Sequence, residues 1–138
     1  MIGLRPYMHP HTTLLTAAAL ALLYALLSIQ VVRLRWGERL GMGLPTDPRS
    51  PLYRVARAHA NFAEYVPFVL LLMLLLESTA AHPTTLRICG VVLVAGRIAH
   101  ARGLIEIRTP NPWRSFGVAV TFGLLLFFAA WIFVRELL

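Results

Sequence analysis

The feature that most constrains this chain is a series of long apolar runs. Residues 13–32 and 116–134 are each greasy enough and long enough to cross a bilayer as helix, which takes about 20 predominantly apolar residues. Residues 62–76 form another such run. It is lengthened at its start by a polar stretch that keeps a helical pattern back to Pro51, a residue suited to the first position of a helix. The run at 88–96 is the weakest, bracketed by Arg87 and Arg97. It spans only if Arg97 and His100 continue the helix inside protein or water. Pro110 and Pro112 end whatever precedes the last run. Helices are expected near 12–36, 51–78, 84–104 and 113–136, as one integral-membrane domain over 1–138: an all-α, four-transmembrane-helix bundle. The stretch 33–52 holds Gly37, Gly41, Gly43, Pro45, Pro48 and Pro51, and is expected to be irregular. The first run is too long for the core of a cleavable signal, and Ala17, Ala18 and Ala19 lie inside it rather than beyond it. It is read as a retained helix. Ala95/Ala99 and Gly117/Thr121 place small residues at four-residue spacing, which allows close helix contact in lipid.

Composition agrees. Hydrophobic residues make up 58% and charged residues 14%, where a soluble domain carries nearer half and a quarter. Disorder, a disulfide-stapled secreted domain and an ordinary cytosolic enzyme are excluded. Cys89, the single cysteine, lies in an apolar run and reads as a small buried hydrophobe. The 13 basic residues are all arginine, and the net charge is +7. They cluster at the ends of the apolar runs, so membrane topology explains them better than nucleic-acid binding. Arg33, Arg35, Arg39, Arg49, Arg54 and Arg57 lie between the first two runs; Arg97, Arg102, Arg108 and Arg114 lie between the last two. Only Arg5, Arg87 and Arg135 remain for the other side. Positive charge stays cytoplasmic, so both basic connections are expected there and both termini on the opposite face. Three spans would divide the two connections between the faces.

The polar residues inside these runs carry the functional signal. Arg57, Asn61 and Glu64 are spaced four and three apart, which puts them on one helical stripe, with Arg54 nearby. His59 points elsewhere. A charge at membrane depth costs about 3 kcal/mol or more and implies function, so Glu64 is expected to find a partner in Arg57 or Arg97. Arg97 and His100 share a face of the third helix. Arg114 and Ser115 follow Asn111-Pro112-Trp113, near a helix N-terminus where the macrodipole and free N–H groups favour anions. Together these residues outline a basic pocket suited to a small zwitterionic or anionic ligand. For Arg97 or Arg114 alone, snorkelling to the interface is the plainer reading. No His or Cys spacing fits a metal.

In this order, Arg57-x-His59-x-Asn61-x-x-Glu64 with Pro67, then Gly96-Arg97-x-x-His100, then Arg114-Ser115, together with Val32-Arg33-Leu34-Arg35 after the first run, resemble the MAPEG family, the membrane-associated proteins in eicosanoid and glutathione metabolism. The likeness covers about residues 14 to 134 and is nearest the bacterial branch. It implies a homotrimer of four-helix bundles in a bacterial inner membrane, with glutathione as co-substrate in a cleft between subunits. Carried over by position, Arg33, Arg57, Asn61, Glu64, Arg97 and His100 would bind glutathione, with Arg114 and Ser115 as the catalytic pair. Glutathione has two carboxylates and one ammonium group, for which several arginines and one glutamate are apt. Ala60 and Leu104 stand where the eicosanoid enzymes often carry a basic residue and a tyrosine, so prostaglandin or leukotriene chemistry is not expected.

Three functions remain in view. The first is a transferase or peroxidase acting on lipophilic electrophiles. The second is a family-shaped protein without catalysis that binds another thiol or anion. The third is a small four-helix transporter using Glu64, against which the arginines argue, because a cation site should not be lined with guanidinium groups.

Overall fold

The computed structural model describes residues 9–79, 81–106 and 110–137; Arg5 and Arg108, two of the residues weighed for topology, lie outside them. Four helices follow in order: α1 (His11–Gly37), α2 (Pro51–Ser78), α3 (Pro83–Ile105) and α4 (Pro112–Leu137). All four are long and apolar enough to cross a membrane.

Each helix buries a stripe and leaves the rest of its apolar surface outside. On α2 the buried residues are Leu52, Val55, Ala58, Phe62, Val66, Val69, Met73 and Leu76. Their three- and four-residue steps are the seam of a left-handed helical bundle. Large apolar side chains such as Leu22, Phe68, Val91 and Leu126 are exposed, as a lipid-facing surface requires. The third helix is the most enclosed, packing against α1, α2 and α4. This explains how the weakest apolar run still forms a long helix. Arg97 and His100 are 1% and 2% exposed, so protein rather than lipid surrounds them.

Glycine sets the spacing of α3 and α4. A Cβ at Gly96 would stand 2.6 Å from Val120 Cγ1, and one at Gly117 would overlap the Gly96 carbonyl and His100. The close approach therefore runs through Gly96, Gly103 and Gly117, whereas Ala95, half of the expected small pair on α3, is exposed. Ala99, Gly117 and Thr121 are buried.

The first helix extends to Gly37, so Arg33 and Arg35 are helical and the irregular connection is 38–50. Arg39 closes α1 with φ of 53° while Leu40 N–H donates to the Arg35 carbonyl at 3.0 Å. This is a Schellman-type stop with arginine where glycine is usual.

At the opposite end of the bundle, Glu77 of α2 caps α1. Its two carboxylate oxygens accept from the backbone N–H groups of Thr12 and Thr13 at 2.8 and 2.7 Å. Pro10 precedes α1 and has no capping side chain, so the cap comes from another helix. The neighbouring Arg135 donates to the Thr79 carbonyl at 2.7 Å, tying α4 to the end of α2. Glu77→Gln removes the charge and one acceptor. It is expected to lower stability by about 1–3 kcal/mol, read as a lower thermal midpoint in detergent. Glu136→Gln, at an exposed site on α4, is the neutral comparison.

Candidate functional site

The bundle end that gathers the C-termini of α1 and α3 with the N-termini of α2 and α4 carries a groove of about 1180 Å³. Five expected residues line it: Arg57, Asn61, His100, Arg114 and Ser115. Arg97 lies directly behind. Its Nη1 donates to Asn61 Oδ1 at 3.0 Å, and its guanidinium sits 5.1 Å from the centre of the Phe62 ring. Asn61 therefore joins a cation buried in the bundle to the groove surface.

The first turn of α4 is built by Asn111. The Asn111 Oδ1 accepts from the N–H groups of Trp113 and Arg114 at 3.0 and 3.3 Å, and the Ser115 N–H reaches the Asn111 carbonyl at 3.2 Å. Pro112 has no N–H to offer. The first turn thus has no spare amide, contrary to the expectation of free N–H groups for an anion. What remains is the helix dipole and the Arg114 guanidinium. The Ser115 hydroxyl donates to the Asn111 carbonyl at 3.4 Å, long for an O–H donor and easily exchanged. Asn111 is held by Glu106, which accepts from Asn111 Nδ2 at 3.2 Å and from Arg102 Nε at 2.8 Å. Arg102 also lies over the Trp113 ring at 5.6 Å.

His100 bridges α3 and α4. Its Nδ1 lies 3.2 Å from the Arg114 carbonyl oxygen. A carbonyl can only accept, so Nδ1 is the donor in this bond. Among the described residues, His100 Nε2 and the Nε and Nη2 of Arg97 have no hydrogen-bond partner. Buried polar groups are ordinarily paired, so these atoms mark a place where further polar contacts belong.

Two expected residues are not gathered within one chain. Glu64 is exposed and forms no ion pair among the described residues; Arg97 bonds Asn61 instead. One turn below Asn61, Tyr65 of α2 meets Phe122 of α4 edge-on with ring centroids 5.1 Å apart. Neither ring lines the groove, and Glu64 lies outside it although it shares the Arg57 stripe. Arg33 is exposed on α1 and does not line the groove. His59, placed off the stripe, stacks on Tyr24 at 4.5 Å and sits 3.1 Å from the Ser28 hydroxyl, fastening α2 to α1.

Several lining residues escaped the sequence reading. Arg49 and Tyr53 were not singled out, and Arg54 was noted only as a neighbour. Arg54 Nε donates to the Leu104 carbonyl at 3.2 Å, pinning the end of α3 to the start of α2. Asn111 carried a legible signal, since asparagine before Pro112 is a strong helix-start pair.

Four apolar helices enclosing a buried arginine and histidine beneath an arginine-lined groove define a helical membrane protein with a polar groove at one bundle end. The chain belongs to the MAPEG family, whose model matches residues 13–134. It is also 38% identical over 112 residues to the inner membrane protein YecN of Escherichia coli K12, covering 81% of this chain and 82% of that one. The YecN of Escherichia coli O6:H1 matches to the same extent.

Proposed function

We propose that this chain is an inner-membrane, glutathione-dependent transferase or peroxidase acting on lipophilic electrophiles. The observation that carries this reading is the convergence of Arg57, Asn61, His100, Arg114 and Ser115 on one groove, backed by Arg97 with two unpartnered guanidinium nitrogens. Guanidinium groups suit the two carboxylates of glutathione. Among the described residues, the groove of a single chain offers no acidic group for its ammonium that is not already bonded. Glu64 would supply one from a neighbouring copy, and Arg33 would likewise complete the site across a homotrimer. An exposed carboxylate at membrane depth is otherwise hard to account for. The arginine distribution supports a cytoplasmic position for both basic connections, and with them for the groove.

When bound, glutathione supplies the sulfur nucleophile. Arg114 and the positive end of α4 would lower the pKa of that thiol, as a nearby cation and a helix N-terminus do. Ser115 would exchange its long bond to the Asn111 carbonyl for one to the sulfur. His100 holds the Arg114 backbone in place. Leu104, Val118 and Ala119 give the groove an apolar wall along which a membrane-dissolved electrophile can approach.

The test is a titration of the detergent-solubilised protein with glutathione. Glutathione is expected to raise the thermal midpoint and to produce thiolate absorbance near neutral pH. Arg114→Gln should keep binding within about tenfold yet remove most of the absorbance and activity toward an aromatic electrophile. Binding without thiolate would reject the catalytic reading in favour of a family member that holds a thiol or anion without chemistry. The transporter reading has less support, because Glu64 lies outside the groove and the groove is cationic.

A further inference from the structure

The groove is more basic than one tripeptide needs. Among the described residues its lining holds four arginines, Arg49, Arg54, Arg57 and Arg114, against one acidic residue, Glu106, which already accepts from Arg102 and Asn111. Glutathione has two carboxylates, so two of these four guanidinium groups would be left without an anionic partner with it bound. The excess is local. Arg49, Tyr53 and Arg54 come from the α1–α2 connection and the first turn of α2, whereas the residues assigned to the thiol stand on α4.

The level of this corner in the membrane is marked by its neighbours. Trp36 and Trp113, 79% and 48% exposed, stand at the same bundle end. Exposed tryptophans gather at the headgroup level of a bilayer. Beside Arg49 and Arg54 the wall turns apolar through Leu104, Val118 and Ala119. A ligand that satisfies both chemistries has an anionic head at the water boundary and a hydrocarbon tail running inward.

We infer that Arg49, Tyr53 and Arg54 form a phosphate subsite at the mouth of the groove, occupied by the headgroup of an anionic phospholipid. Two guanidinium groups and a phenol supply planar, charge-assisted donors for phosphate oxygens, while Arg54 stays anchored through its Nε to Leu104. Leu104, beside the Arg54 anchor, takes the upper part of one acyl chain, which leaves Val118 and Ala119 on α4 for the electrophile. The assignment rests on the membrane setting and the lining, and stands whether or not the protein uses glutathione.

The experiment uses the full chain in a neutral detergent, read by native mass spectrometry and thermal unfolding. Three probes separate head from tail: dioleoyl phosphatidylglycerol, dioleoylglycerol with the same tails and no phosphate, and glycerol 3-phosphate with no tails. Phosphatidylglycerol is expected to remain bound and to raise the midpoint, and dioleoylglycerol to do neither. Arg49→Gln with Arg54→Gln should weaken phosphatidylglycerol at least tenfold. Arg35→Gln with Arg39→Gln removes the same charge outside the groove and should change it less than twofold. If losing the Leu104 anchor unfolds the first double variant, Arg49→Gln with Tyr53→Phe replaces it. Equal loss in the two doubles would mean diffuse attraction and overturn the subsite, as would equal binding of dioleoylglycerol or no binding of any probe. Glycerol 3-phosphate binding as tightly as the lipid would overturn the lipid assignment and leave a site for a soluble phosphate.

Discussion

Gly103→Ala is expected to destabilise the protein by about 1–3 kcal/mol and to abolish its response to glutathione. A Cβ at Gly103 would overlap the Arg114 backbone nitrogen and stand 2.9 Å from the Arg114 Cα. The obstruction is main chain, so no side-chain rotation relieves it. The end of α3 must move away from the start of α4, and that displacement carries Arg114, Ser115 and the Asn111 cap with it. The His100 bond to the Arg114 carbonyl stretches in the same movement. Gly123→Ala gives the opposite sign. Nothing lies within 4 Å of a Cβ there, and alanine is the better helix former by about 0.5–1 kcal/mol. Thermal unfolding with and without glutathione reads both variants. Equal damage from the two would place Gly123 against another chain; a harmless Gly103→Ala would mean that α3 and α4 are not packed as described.

Arg97→Met should separate stability from binding. Arg97 is buried, and only its Nη1 is bonded, to Asn61. Taking a guanidinium out of water for one hydrogen bond and a ring contact is a poor exchange, and replacing buried charge by an apolar side chain of similar volume is often neutral or stabilising. The midpoint of the unliganded protein is therefore expected to hold or rise. Binding should fall about tenfold or more, because a bond to a charged group contributes about 1.5–3 kcal/mol and Asn61 loses its support. The comparison is Arg97→Ala, which leaves a cavity as well and should lose both properties. A methionine variant that binds glutathione like the parent would show that Arg97 only holds the bundle together.

The same residues show how far local pattern reaches. Helical spacing placed Arg57 near Asn61 and Arg97 near His100, and the structure keeps both pairs together. The same spacing put Glu64 on the Arg57 stripe, yet Glu64 is exposed and lies outside the groove. The start of α4 looked like a free anion site, but the preceding asparagine consumes its amides. Arg49 and Tyr53 could not be singled out, since their place depends on where an irregular connection lands relative to α3 and α4.

Four long apolar helices with polar residues at one end were legible in residue order alone. Lipid cannot satisfy a bare backbone, so an apolar run of sufficient length has little choice but helix, and periodicity then assigns its faces. Which arginine is sealed inside, which glutamate is left outside, and how wide the groove opens depend on the approach of α3 to α4. Gly96, Gly103 and Gly117 set that approach through contacts between different helices, and no reading of a single helix contains it.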